Sequence, residues 1–175
     1  DSRLAFGEST SLVSGTGGLP SVIYGKTVST QSRALTIARC VAPLCGELVV
    51  SDIGGERYAA GRMFATSTSS GLPVIAFSDA ETSQAVLLIC SNSDCSDYER
   101  VTVPDHTGVT GVAVSSQGVP LLGFDALWDG TKYPLSMLIC SDADCSSTFE
   151  VVYGYDIGGS NPVFAFSADA PAVAW

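Results

Sequence analysis

A Cys-x4-Cys segment recurs three times along the chain, as CVAPLC (40–45), CSNSDC (90–95) and CSDADC (140–145). The first cysteines stand at 40, 90 and 140, a spacing of 50 residues each time. A fixed period of that length marks a repeat architecture, in which one supersecondary unit buries its apolar surface only against its neighbours. The fold must therefore be made of stacked copies of one motif.

Alignment on the cysteines exposes the motif. Each copy opens on Gly-x-Pro or a near equivalent and an apolar run ending in an aromatic: GLPSVIY (18–24), GLPVIAF (71–77), GVPLLGF (118–124) and APAVAW (170–175). The aromatic falls four residues after the proline, at Tyr24, Phe77, Phe124 and Trp175. This is a strand, A, that opens on a proline and runs into a core. A second strand, B, leads into the first cysteine: ALTIARC (34–40), AVLLIC (85–90) and LSMLIC (135–140). Ile37, Leu87 and Met137 precede their cysteines by three residues, and Leu35, Ala85 and Leu135 by five. An apolar period of two puts these side chains on one buried face.

The Cys-x4-Cys segment is then a turn. Strand C follows as GELVVSD (46–52), YERVTVPD (98–105) and FEVVYGYD (149–156), and strand D as GRMFATS (61–67), VTGVAVSS (109–116) and PVFAFSAD (162–169). RLAFG (3–7) matches strand D, and the Ser/Thr/Gly stretch 8–18 after it reads as a long loop. The expected fold is all-β: a propeller-like array of four-stranded antiparallel blades, about three complete with partial blades at both ends. Residues 1–175 form one repeat domain with units 1–17 (partial), 18–70, 71–117, 118–169 and 170–175 (partial). The last unit reaches strand A but not its own cysteine pair, so its open edge calls for a longer array or for strand addition by other copies.

Six cysteines allow 15 pairings, and the simplest closes each six-residue loop on itself: Cys40 with Cys45, Cys90 with Cys95 and Cys140 with Cys145. The rival is zinc, whose ligands come as two close pairs or with histidines, whereas this chain has one His. Disulfides imply an oxidising compartment, with an extracellular or cell-surface location. A first residue of Asp rather than Met leads to the expectation of a processed product. Net charge is −10, with 18 acidic against 8 basic residues, which repels phosphate backbones and argues against nucleic-acid partners. No stretch is long and apolar enough for a membrane-spanning helix, and membrane insertion is not expected.

The motif pairs GLPVIAFSD (71–79) with CSNSDC and GVPLLGFD (118–125) with CSDADC resemble repeats of secreted bacterial and algal β-propeller-like proteins, in which phrases such as GLPVISYYD and CSNADC recur. The first unit departs from them, since CVAPLC lacks the acidic and small residues and Tyr24 is not followed by Asp. The resemblance covers nearly the whole chain and implies an extracellular propeller-like repeat. It brings no catalytic residues.

No chemical constellation stands out. His106, in PDHTG (104–108), reads as a solvated loop residue rather than the base of a triad. Asp79, Asp125 and Asp129 follow strand A and could act as paired carboxylates, but turn capping accounts for them. Asn92, Asp94, Asp142 and Asp144 enrich two cysteine loops in oxygen, short of the six ligands calcium normally takes. No cofactor or metal is expected. Trp128, with Asp129 and Tyr133 in DALWDGTKY (125–133), is the best candidate glycan platform. The expected function is a non-enzymatic extracellular scaffold that assembles with its own copies through open sheet edges. The alternative is a lectin-like carbohydrate-binding module.

Overall fold

The computed structural model describes residues 9–103, 106–125, 135–153, 162–167 and 170–174. Thirteen strands are found among them. The first seven are β1 (Thr10–Ser14), β2 (Pro20–Thr27), β3 (Ser32–Cys40), β4 (Leu48–Ser67), β5 (Pro73–Asp79), β6 (Ala85–Cys90) and β7 (Tyr98–Val103). The remainder are β8 (Val109–Val114), β9 (Pro120–Asp125), β10 (Leu135–Cys140), β11 (Thr148–Tyr153), β12 (Val163–Ser167) and β13 (Ala170–Ala174). All pairings are antiparallel, and the all-β expectation is met. Strands A, B, C and D of the repeat are present, and every strand A begins at or beside its proline.

Two expectations need correction. The long loop 8–18 contains β1, so the leading strand D is Thr10–Ser14; RLAFG (3–7) lies outside the described residues. Leu12 and Val13 stand side by side in a Ser/Thr run and form no period-two pattern, and pairing with β2 supplies what propensity does not. Strand D also hydrogen-bonds the strand A that follows it, so the sheets run D-A-B-C rather than A-B-C-D.

Four layers result. Layer 1 is β1-β2-β3 with the start of β4, and layer 2 is the end of β4 with β5-β6-β7; together they form one seven-stranded sheet. Layer 3 is β8-β9-β10-β11, and layer 4 is β12-β13. Strands C and D of the first repeat, separate in the sequence reading, are one 20-residue strand, β4. Its start pairs with β3 and its end with β5, with an irregular register between Tyr58 and Met63. A separate bulge opposite Ala34 and Thr36 holds Gly54 and Gly55, both at positive φ. A Cβ on Gly54 would also lie 2.1 Å from the Tyr98 hydroxyl, so no larger residue fits there.

The core lies between layers. Val13, Ile23, Leu35 and Ile37 of layer 1 pack with Ile75, Phe77, Val86 and Leu88 of layer 2. The opposite face of layer 2, with Val74, Ala76 and Leu87, packs on Leu122, Phe124 and Leu138 of layer 3. Leu121, Met137 and Ile139 on the far face of layer 3 receive Phe164 of layer 4. Strands β5 and β6 are thus buried on both faces, which is why AVLLIC reads as a continuous apolar run. Strands D of successive layers lie side by side. Ser9 beside β1 clamps the Met63 peptide, its hydroxyl donating to the Met63 carbonyl (2.6 Å) and accepting from the Met63 N–H (2.7 Å). The Ala65 N–H donates to Ser11 Oγ (3.1 Å).

Candidate functional site

The three Cys-x4-Cys tips are the most regular local feature. Each cysteine pair is a local disulfide, with Cα–Cα distances of 4.8, 4.9 and 4.7 Å for Cys40–Cys45, Cys90–Cys95 and Cys140–Cys145. Each joins the end of strand B to the start of strand C. The second cysteine has positive φ in all three tips, at 52°, 54° and 54°. Its N–H donates to the carbonyl three residues back: Ala42, Asn92 or Asp142, at 3.2 Å each time. CVAPLC shares this hydrogen bond and the left-handed second cysteine, but its turn differs, because Leu44 is also at positive φ (59°) where Asp94 and Asp144 are not. A left-handed cysteine is costly on its own, and the disulfide is the covalent clamp that holds it. In the chain-entropy model a loop this short stabilises by roughly 2 kcal/mol.

The tips differ in burial. Cys95 and Cys145 are buried under the preceding layer, whereas Cys45 is exposed. Disulfide exchange needs thiolate access to sulfur. Limited reductant followed by alkylation and mass mapping is expected to open Cys40–Cys45 first; simultaneous opening of all three would contradict the burial order.

The oxygen-rich residues of the second and third tips are engaged within the loops. Asn92 Oδ1 accepts the Ser96 N–H (3.0 Å), and Asp142 Oδ1 accepts the Ser146 N–H (2.8 Å). Hydrogen bonds from the Ser96 hydroxyl and N–H hold the Asp94 carboxyl below the usual carboxylate range. The Ser146 hydroxyl and N–H do the same for Asp142. Among the described residues no group of three or more His, Cys, Asp and Glu side chains is placed to hold a metal.

Asp79 performs turn chemistry. Its Oδ1 accepts the N–H of Glu81 (3.0 Å), the N–H of Thr82 (2.8 Å) and the Thr82 hydroxyl (2.9 Å), while Oδ2 faces Arg100 Nη2 at 2.9 Å. Burial opposes its ionisation, but the Thr82 bonds, the Glu81 N–H and Arg100 together hold the carboxyl below its ordinary 3.8. A carboxyl depressed in the folded state contributes stability above its unfolded pKa and loses it as pH falls through the folded value. Wild-type protein is therefore expected to lose stability more steeply than Asp79→Asn on acidification below about pH 5. Parallel acid limbs in denaturant titrations would refute this.

Two polar links escaped the sequence reading. Arg100 also pairs with Glu56 (3.3 Å), and the Tyr98 hydroxyl donates to Glu56 Oε1 (3.1 Å), tying β7 to the Gly54–Gly55 bulge of β4. Burial, the Glu56 hydrogen bond and the Glu56 charge push the Tyr98 phenol up. Arg100 is partly exposed, so these pairs are worth at most about 1 kcal/mol. The second link is Arg39, whose Nη1 donates to Ser93 Oγ (2.8 Å) across layers 1 and 2. Arg39 borders a cavity of about 210 Å³ with Gly15, Thr16, Leu19, Ser21 and Ser93, and its buried Nε has no partner. A signal was present: Arg39 stands where the other repeats have Ile89 and Ile139.

The His106 ring packs against Phe124 with centroids 4.7 Å apart, and its carbonyl accepts the Ala85 N–H (2.8 Å). The histidine is thus half-buried rather than solvated. Trp128, Asp129 and Tyr133 lie outside the described residues, as does Trp175, and nothing is described of the Asp125 side chain. Among the described residues no helix is long and apolar enough to cross a membrane.

Comparison with protein-family models and with curated proteins finds no match for this chain. Fold and site define its class: an all-β repeat protein of stacked antiparallel layers with disulfide-closed hairpin tips. Three disulfides point to an oxidising environment.

Proposed function

We propose that this chain is a non-enzymatic extracellular scaffold, propeller-like in arrangement, which assembles with its own copies through open sheet edges. The observation that carries this reading is the edge of β13. Strand A lies between D and B in layers 1, 2 and 3, but in layer 4 it has β12 on one side and no described strand on the other. An exposed strand edge is a template for pairing with another chain. The propeller-like reading is supported by the side-by-side D strands, which would line an axis. The acidic surface and the oxidised cysteines favour an extracellular setting. Glycan binding rests on Trp128, Asp129 and Tyr133, and no described feature favours it.

Sedimentation velocity over a wide concentration range, with negative-stain imaging, tests the reading. Arcs, rings or fibres that grow with concentration are expected. A monomer at every concentration would overturn it.

A further inference from the structure

Every layer presents the same two faces, and among the described residues the outermost two have no further layer packed on them. On the near face, which looks toward the preceding layer, one cross-strand row begins on strand D. It is Ala65–Ile75–Leu88 in layer 2, Val112–Leu122–Leu138 in layer 3 and Phe164–Val173 in layer 4. All three rows belong to inter-layer cores. The matching row in layer 1 is Leu12–Val22–Ala38–Val50. It is equally apolar, and its two ends stand open, with Leu12 72% exposed and Val50 54%, while Ala38 between them is 8% exposed. The disulfides agree: those of layers 2 and 3 are buried by the preceding layer, while Cys45 of layer 1 is exposed. At the other end, the far face of layer 4 carries the pairs Val163–Ala174 and Ala165–Ala172. Val163 is 65% exposed, and Ala165 and Ala174 are exposed.

The existing interfaces show how such faces fit. The D-strand residue of each near-face row is a knob, and a cross-strand pair on the far face of the preceding layer is its slot. Phe164 sits on Gly111–Gly123, where an added Cβ would come within 2.3 and 2.0 Å of its ring. Val112 shares a core with the pair Phe64–Ala76, and the small Ala65 meets Ser11–Ile23. The largest knob has the smallest slot. By the same register, Leu12 corresponds to Phe164 and Val163–Ala174 to Gly111–Gly123. A smaller knob thus matches a fuller slot, and none of these side chains carries charge.

We infer that the far face of layer 4 of one copy docks on the near face of layer 1 of a second copy, with Leu12 seated over Val163 and Ala174, so that copies stack head to tail. The contact continues a packing the chain already makes between each of its own layers. Being heterologous, it propagates unless the rotation closes. It rests on the self-assembling reading above but uses sheet faces instead of strand edges.

Two experiments test it. Wild-type and Leu12→Lys chains are compared by sedimentation, with thermal unfolding as a folding control. Leu12 is exposed in the single chain, so Leu12→Lys should leave the melting temperature unchanged and weaken association by at least about tenfold. Separately, Leu12→Cys and Ala174→Cys chains are mixed under mild oxidation and should cross-link as pairs of unlike copies. If wild type assembles, but Leu12→Lys assembles equally well and no cross-link forms, the faces are not the contact, and edge-mediated assembly stands alone. A wild type that stays monomeric overturns the assembly reading and this inference with it. A Leu12→Cys/Ala174→Cys double variant that closes within one chain would make the chain's own layer 4 the occupant and would also overturn it.

Discussion

Gly123→Ala is expected to unseat layer 4 while leaving layers 1 and 2 folded. The new Cβ would lie 2.0 Å from the Phe164 ring, and the Gly111 partner leaves no room on the other side of the slot. Overpacking of this kind costs about 1–3 kcal/mol. Phe164→Ala removes the knob instead and should cost about 3–5 kcal/mol, as for other buried phenylalanines. The loss should be local, because Phe164 anchors β12 and β13 to layer 3 and takes no part in the other cores. Hydrogen exchange is the direct readout: amides of 163–167 and 170–174 should lose protection, while those of β5 and β6 keep it. Since knob and slot touch, the double variant Gly123→Ala/Phe164→Leu should cost less than the sum of the singles. Additive losses would show that the ring and the glycines do not form one contact.

Phe77→Ala should act on the whole molecule. Phe77 is fully buried between layers 1 and 2, with the Tyr58 ring 6.2 Å away, centroid to centroid. The truncation leaves a cavity in a packed interface and should cost about 3–5 kcal/mol. For a chain of this size that lowers the melting temperature by roughly 10 °C. Protection should fall together in β2, β3, β5 and β6, since these strands share the core around the ring. A loss confined to β5 would mean that the two layers do not unfold as a unit.

These two residues also mark how far the sequence could be read. Phe77 was legible: an aromatic four residues after each Gly-x-Pro is a period-two position on a strand that enters a core. The cysteine pairing was legible too, because the simplest of the fifteen pairings closes each local loop on itself. The slot for Phe164 was not, because a glycine in a strand pattern says that something approaches, without saying what. Arg39 gave a faint signal as a charge in an aliphatic position, but its partner Ser93 lies 54 residues away in another layer. Trp128, Asp129 and Tyr133 lie outside the described residues.

The grouping of strands shows the same division. Alternation told which side chains share a face in each strand, so the chain by itself determined an all-β repeat, most of its strand positions and its stapled tips. It could not tell that strand D pairs with the following A, that β4 runs unbroken through two layers, or that β1 arises within a Ser/Thr stretch. Backbone hydrogen bonding is nearly indifferent to side-chain identity, so partner choice rests on which faces the assembled layers bury. Only tertiary packing decided that both faces of β5 and β6 are covered, while among the described residues no layer packs on the near face of layer 1 or the far face of layer 4.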